Sequence, residues 1–187
     1  MSLTIENTEK IYIDSENENA VKQLEALFRN RLREQDNSYE EIIFLCIGTD
    51  RATGDCLGPL VGYKLKSVLG DRKNAFVYGT LESPIHAKNL SESVERIYKR
   101  HEKPLVVAID ASLGDASQVG YMSVKRGSLK PGAGLNKRLP AIGDISIVGI
   151  VNYCGIMEMM ILQSTRLNVV MKMADIIVTS IEKGLSD

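Results

Sequence analysis

The sequence predicts an α/β fold in which helices cover the faces of a parallel sheet. Three short apolar runs, Ile42–Ile47, Ala75–Gly79 and Leu105–Ile109, have the length of strands, and two of them are solid enough for burial on both faces. The segments between them carry apolar residues at helical spacing. Strand, helix, strand, helix, strand is the pattern that a parallel sheet requires, because each parallel neighbour needs a crossover connection.

In chain order, IYI at residues 11–13 suggests a small first strand. Ser15 and Glu18 have the spacing of a capping box and predict a helix whose inward face is Val21, Leu24, Leu27, Phe28 and Leu32, ended by EQDNS. After the strand at Ile42–Ile47, a helix over Leu57–Leu69 has Leu57, Val61, Leu65, Val68 and Leu69 on one side, with Pro59 acceptable in its first turn. Ala75–Gly79 is the second strand, and Leu90, Val94 and Ile97 stripe a third helix. Leu105–Ile109 follows, then a further strand over Gly120–Lys125 and another over Ile145–Val151. The C-terminal helix is striped by Leu167, Val170, Met171, Ala174, Ile177, Val178 and Ile181, with Gly184 as its stop. There is no internal repeat or linker, so residues 1–187 read as one domain, with residues 1–40 an N-terminal extension and helix packed on it.

Composition narrows the function classes. At 187 residues, 44% apolar and 25% charged, the chain has enough apolar material for a full core. A net charge of −1 gives no global attraction to nucleic acid or to an anionic membrane. The expected partner is a protein or peptide, recognised locally. Cys46, Cys56 and Cys154 form no C-x-x-C pair and no complete disulfide set, which fits a reducing cytoplasm. No signal core or spanning run is present: a membrane helix needs roughly 18–20 apolar residues.

The chemistry is concentrated in FLCIGTDRATGDCLGP, Phe44 to Pro59, where a strand runs into a loop with two aspartates. In open parallel sheets the functional crevice lies outside the carboxyl ends of the strands. The first strand delivers Asp50 and Asp55 to that edge, and PLVVAID delivers Asp110 at its end, just before an ASLG turn. If both strands are parallel and central, Asp55 and Asp110 converge. Two such acids either share a proton and divide the roles of base and acid, or hold a divalent metal, for which a third ligand is needed. Of the two histidines, His86 lies in a loop that could face this edge, whereas His101 closes a polar helix. The simpler readings are an Asp50–Arg51 ion pair, Asp55 as a helix N-cap and Asp110 as a turn cap. Gly48, Gly54 and Gly58 fit neither a dinucleotide fingerprint nor a P-loop, and Asp55 would stand where a phosphate must lie.

The motifs GTDRATGDCLGPLVG and VVAIDASLG, with GTLESPIHAKNL and GDISIVGIVN, resemble those of the YyaC-like sporulation proteins. These are often labelled spore proteases and sit within the group of germination proteases and hydrogenase-maturation endopeptidases. The resemblance runs from about Ile42 onward. It implies a phosphorylase/hydrolase-like three-layer α/β/α fold around a mostly parallel twisted sheet, and a cytoplasmic setting in the forespore or mother cell. The aspartates proposed as catalytic in germination proteases match Asp55 and Asp110. The same two positions bind nickel in the maturation endopeptidases, but their histidine falls near Asn152–Gly155, in VNYCG, where this chain has none. The departure favours a metal-free aspartic pair with no cofactor. The resemblance thus implies a sporulation-associated endopeptidase, with a non-catalytic peptide-binding regulator or a metal-dependent maturation peptidase as alternatives. The expected crevice is lined by Thr49, Asp50, Gly54, Glu82, His86, Ser112, Asn152 and Cys154.

Three features remain. The loop between Arg126 and Gly143 carries Arg126, Lys130, Lys137 and Arg138 with no acid, and folded over the crevice it would steer an acidic peptide; the simpler reading is a solvated loop. Met157, Met159, Met160, Met171 and Met173 read as core filling, with any surplus marking a subunit contact and hence a homo-oligomer. Cys56 stands beside Asp55 but has no nearby histidine in sequence to activate it, and reads as a small buried residue.

Overall fold

The computed structural model describes residues 11–35, 38–131 and 141–186. The polar start, Asp36 and Asn37 of the EQDNS segment, and Lys137 and Arg138 of the basic loop lie outside these residues. Six strands form one sheet: β1 Ile13–Asp14, β2 Ile42–Cys46, β3 Ala75–Tyr78, β4 Leu105–Gly114, β5 Tyr121–Arg126 and β6 Ile145–Tyr153. Five α-helices accompany them: α1 Ala20–Arg33, α2 Leu57–Leu69, α3 Leu90–Arg100, α4 Glu158–Gln163 and α5 Leu167–Gly184.

The strand order is β1-β5-β6-β4-β2-β3. The four strands β3, β2, β4 and β6 are parallel, and β5 and β1 complete the other edge in antiparallel pairings. Because side chains alternate along a strand, the apolar runs feed two cores. Phe44, Cys46, Val107 and Ile109 pack under α1, α2 and α5, whereas Ile43, Leu45, Val106 and Ala108 pack under α3. This is a three-layer α/β/α arrangement, and its larger core is centred on Phe28 and Phe44, whose ring centroids are 6.5 Å apart.

Several local expectations are corrected. The capping box does not form: α1 starts at Ala20, after Asn19, while the Asp14 and Asn17 side chains accept the Glu16 and Asn19 amides in short turns. Ser15 is buried, and its amide donates to Gly120 O instead. ASLG is not a turn, because β4 continues through it and stays paired with β6 across a register shift at Ser112/Leu113. Gly184 is helical and fits against the Phe28 ring rather than turning the chain. Met173 fills the core, but Met157, Met159 and Met160 are exposed, since only Ile161 of short α4 is buried.

The basic loop is also misplaced by the expectation. Strand β5 runs antiparallel to β6, with Arg126 paired to Ile145 at the start of β6. The described ends of the loop therefore leave the amino edge of the parallel strands, with Gly127 N donating to Asp144 O and Leu129 bridged to Ile142. That is the edge away from the predicted crevice.

The chain leaves β2 through α2 to pair β3 on one side, then returns through α3 to pair β4 on the other. The carboxyl ends of β2 and β4 thus flank a topological switch point, the place where open sheets form clefts. Helix α2 meets this point at very short range. A Cβ on Gly58 would stand 2.1 Å from Ile47 O, well inside contact distance. A Gly58→Ala variant is expected to lose about 3 kcal/mol, the upper end for over-packing, measured as a lower urea midpoint with an unchanged slope.

Candidate active site

The loop after β2 is short and folded back on itself. Gly48 adopts φ +138°, and a Cβ there would lie 2.0 Å from Asp55 O. The Thr49 amide donates to that same oxygen at 3.0 Å, and the Gly48 amide donates to Ile85 O at 2.8 Å. Asp55 sits in the 3-10 turn Gly54–Cys56 that leads into α2. Its side chain makes no N-cap bond to either helix, so capping does not account for it.

Asp110 lies in β4 opposite Val148 of β6, one residue beyond Ile109, whose carbonyl accepts the Ile47 amide. Beyond it β2 has ended, and β4 continues with β6 alone. Only 8% of Asp110 is exposed, and its Oδ1 accepts the Ala111 amide at 2.8 Å. Burial, and then the charge of Asp55, push its carboxyl well above the ordinary range, against the Ala111 amide, which lowers it. Burial raises half-buried Asp55 to about 6, opposed by the Thr49 amide. The mutual effect appears on Asp110 because the more exposed acid ionises first, leaving the buried one to ionise beside a negative charge. Asp55, the less buried of the two, gives up its proton through about 6, while burial and the charge of Asp55 both favour the proton on Asp110.

The other expected residues divide. Thr49 is part of the loop closure, and half-buried His86 directly follows Ile85, which is bridged to Ile47, so both stand at this edge. His86 is engaged locally: its amide donates to Asn89 Oδ1 and its Nδ1 accepts the Lys88 amide. Asp50 and Arg51 are exposed and form no ion pair among the described residues, which removes the simpler reading of Asp50. Asp50 acts on Cys56 instead: burial, Asp50 and Asp55 all raise that thiol's pKa, the reverse of what a nucleophile needs. Gly54 is buried against Leu162 and Thr165 and does not line a crevice. Glu82 points elsewhere, pairing with Lys66 at 3.9 Å in a cleft of about 550 Å³ that also includes Tyr63, Thr80 and Asp175. Ser112 turns its hydroxyl to Leu113 O, and Cys154 is exposed with its amide on Gly114 O.

Asn152 has a different role from the expected one. Its Nδ2 donates to Ile161 O and Thr165 Oγ1, both at 3.1 Å. These bonds hold α4 and the turn after it, against which Gly54 packs. Sequence reasoning missed Thr165, for which no motif signals, and a buried network in which His101 bonds the Tyr78 hydroxyl and Glu41, each at 2.7 Å.

A metal is poorly served here. Among the described residues no group of three or more His, Cys, Asp or Glu is placed to hold one. The segment expected to supply a third ligand offers Asn152, whose amide is already spent.

Fold and site together define a three-layer α/β/α protein with an acid pair at the switch point, the architecture of the maturation-protease fold. The [NiFe] hydrogenase maturation protease HycI from Thermococcus kodakarensis KOD1 superposes with a TM-score of 0.57, covering 88% of this chain and 99% of that one at 17% identity. The family described as "Protein of unknown function (DUF1256)" matches residues 12–180, and "Uncharacterized protein YyaC" of Bacillus subtilis (strain 168) is 46% identical over 168 residues, 90% of this chain and 80% of that protein. The chain belongs to the DUF1256 family, is YyaC-like, and shares the fold of that maturation protease. No helix among the described residues is long and apolar enough to cross a membrane.

The raised carboxyls carry a stability signature. Each binds its proton more tightly in the folded than in the unfolded chain, so the stabilisation is complete below about pH 4. It is lost as pH rises through about 6 for Asp55 and, for Asp110, through its own raised pKa. The Asp110→Asn variant should therefore melt at or above the wild type at pH 7.5. The difference, read by scanning calorimetry, should widen from pH 4 to pH 8.

Proposed function

We propose that this chain is a sporulation-associated endopeptidase that cuts a specific protein through the pair Asp55 and Asp110. One observation carries the reading: Asp55, in the turn that leads into α2, and Asp110, on β4, stand near enough at the switch point for the charge of Asp55 to act on a carboxyl that burial has already raised. Ionised Asp55 takes a proton from water as its oxygen attacks the peptide carbonyl carbon, and Asp110 gives its proton to the carbonyl oxygen. Asp55 then passes its proton to the amide nitrogen. The C–N bond breaks, and Asp110 recovers a proton from the gem-diol. The sporulation setting rests on the resemblance to YyaC-like proteins, and the peptide substrate on the fold shared with a maturation protease.

A second reading, a non-catalytic peptide-binding regulator, is favoured by a separate fact. Neither of two clefts, of about 550 and 320 Å³, is lined by Asp55 or Asp110, and Asp110 itself is nearly sealed. The two readings separate in a cell extract searched for new protein termini. Under the peptidase reading, wild type generates termini that Asp55→Asn and Asp110→Asn lose by about 10²–10⁴-fold in rate. An unchanged set of termini over a wide pH range, with or without chelator, would favour the binding reading.

The pH profile is a further check. Activity should rise as Asp55 ionises through about 6 and fall at higher pH as Asp110 loses its proton. In Asp110→Asn the residual rate should lack the alkaline fall.

A further inference from the structure

Strand β3 ends the sheet, pairing only with β2. The Ile42 amide donates to Asn74 O, so the alternation of a parallel ladder turns the backbone groups of Ala75 and Val77 outward. At the carboxyl end of this strand, reaching β3 only at Tyr78, lies a cleft of about 320 Å³ bounded by Gly79, by Ser83 to Ile85, and by Ser93, Arg96 and Arg100 of α3. Arg96 and Arg100 are one helical turn apart on the same stripe, both exposed. Arg96 has only loose partners, Ser93 Oγ at 3.4 Å and Glu92 at 3.9 Å, and Arg100 has no side-chain partner among the described residues. No acidic side chain lines the cleft. Its floor is firm, because Tyr78 is anchored through buried His101 to Glu41.

A free strand edge beside a helix is the arrangement that takes up an extended peptide as an added strand, with the main chain giving affinity and side-chain subsites giving specificity. Two under-used guanidiniums in an otherwise neutral lining select carboxylates. The cleft is also linked to the acid pair, since Ile85 in its wall is bridged to Ile47 and accepts the Gly48 amide.

We propose that the groove between β3 and α3 binds an extended acidic segment of the protein substrate, adding it to β3 while Arg96 and Arg100 hold its carboxylates. Its assignment to the substrate rests on the peptidase reading, but binding itself does not, and the test is made in Asp110→Asn so that cleavage plays no part. The probe is a decapeptide of alternating Thr and Glu, compared with its Thr/Gln twin, titrated into ¹⁵N-labelled protein. Saturable shifts should cluster at residues 75–85 and 93–100, with the amides of Ala75 and Val77 gaining protection from exchange. Affinity for the Glu peptide should exceed that for the Gln twin by about tenfold or more at low salt and fall with added salt. It should drop to the Gln level in Arg96→Gln/Arg100→Gln. A charge-reversed Arg96→Glu/Arg100→Glu variant should instead prefer a Thr/Lys peptide. Equal binding of the Glu and Gln peptides, shifts confined to another surface, or no shifts at millimolar peptide would each overturn the proposal. If binding holds while extracts show no new termini, the groove stands and the peptidase reading falls.

Discussion

The close approach of α2 to the end of β2 is the constraint on which the rest of the site depends. Gly48 and Gly58 remove the two Cβ atoms that would collide with Asp55 O and Ile47 O. With them absent, the loop closes in a few residues and the 3-10 turn that carries Asp55 stays at the switch point. From the other side, Gly54 fits under Leu162 and Thr165, and Asn152 fixes that segment by two hydrogen bonds. The position of Asp55 is thus set by close packing at three glycines, Gly48, Gly54 and Gly58.

That positioning has an electrostatic cost the fold does not need for its own sake. Two carboxylates with raised pKa values oppose folding at neutral pH, because each would release its proton more readily in water. Ordinary structural acids show the opposite shift, as partners of cations. Neither Asp55 nor Asp110 forms an ion pair among the described residues, although Lys and Arg are plentiful in the chain. Retaining an unneutralised pair at a switch point, one acid deep and one half-exposed, is the kind of local penalty that functional sites carry.

Much of this was legible in sequence because burial on both faces leaves solid apolar runs. Ile42–Ile47 and the helix over Leu57–Leu69 were located almost to the residue for that reason. Where several physical options share one pattern, the reading failed. Ser15 and Glu18 have capping spacing, but Asp14 and Asn17 offer tighter local turns and the helix starts later. The antiparallel course of β5 depends on its pairing with β6, which no local pattern encodes, and so a place over the crevice stayed open as one reading of the basic loop beside the simpler solvated one. Glu82 was placed by the direction of its loop, yet Lys66 on α2 turns it into another cleft. The convergence of Asp55 and Asp110 survived these errors because it needs only strand direction and order, the most strongly constrained features of a parallel sheet.

Asn152 brings the fold and the chemistry together. At 17% identity the maturation protease shares only architecture with this chain, and the stretch Asn152–Gly155 contains no histidine. Here the amide of Asn152 bonds Ile161 O and Thr165 Oγ1, so the side chain braces the wall behind the Asp55 turn. An imidazole has a single donor when neutral and could not make both bonds while also ligating a metal through its second nitrogen. The same position cannot brace this wall and complete a three-ligand site. In this chain the brace is what the side chain does, and it holds the wall against which the turn carrying Asp55 is packed.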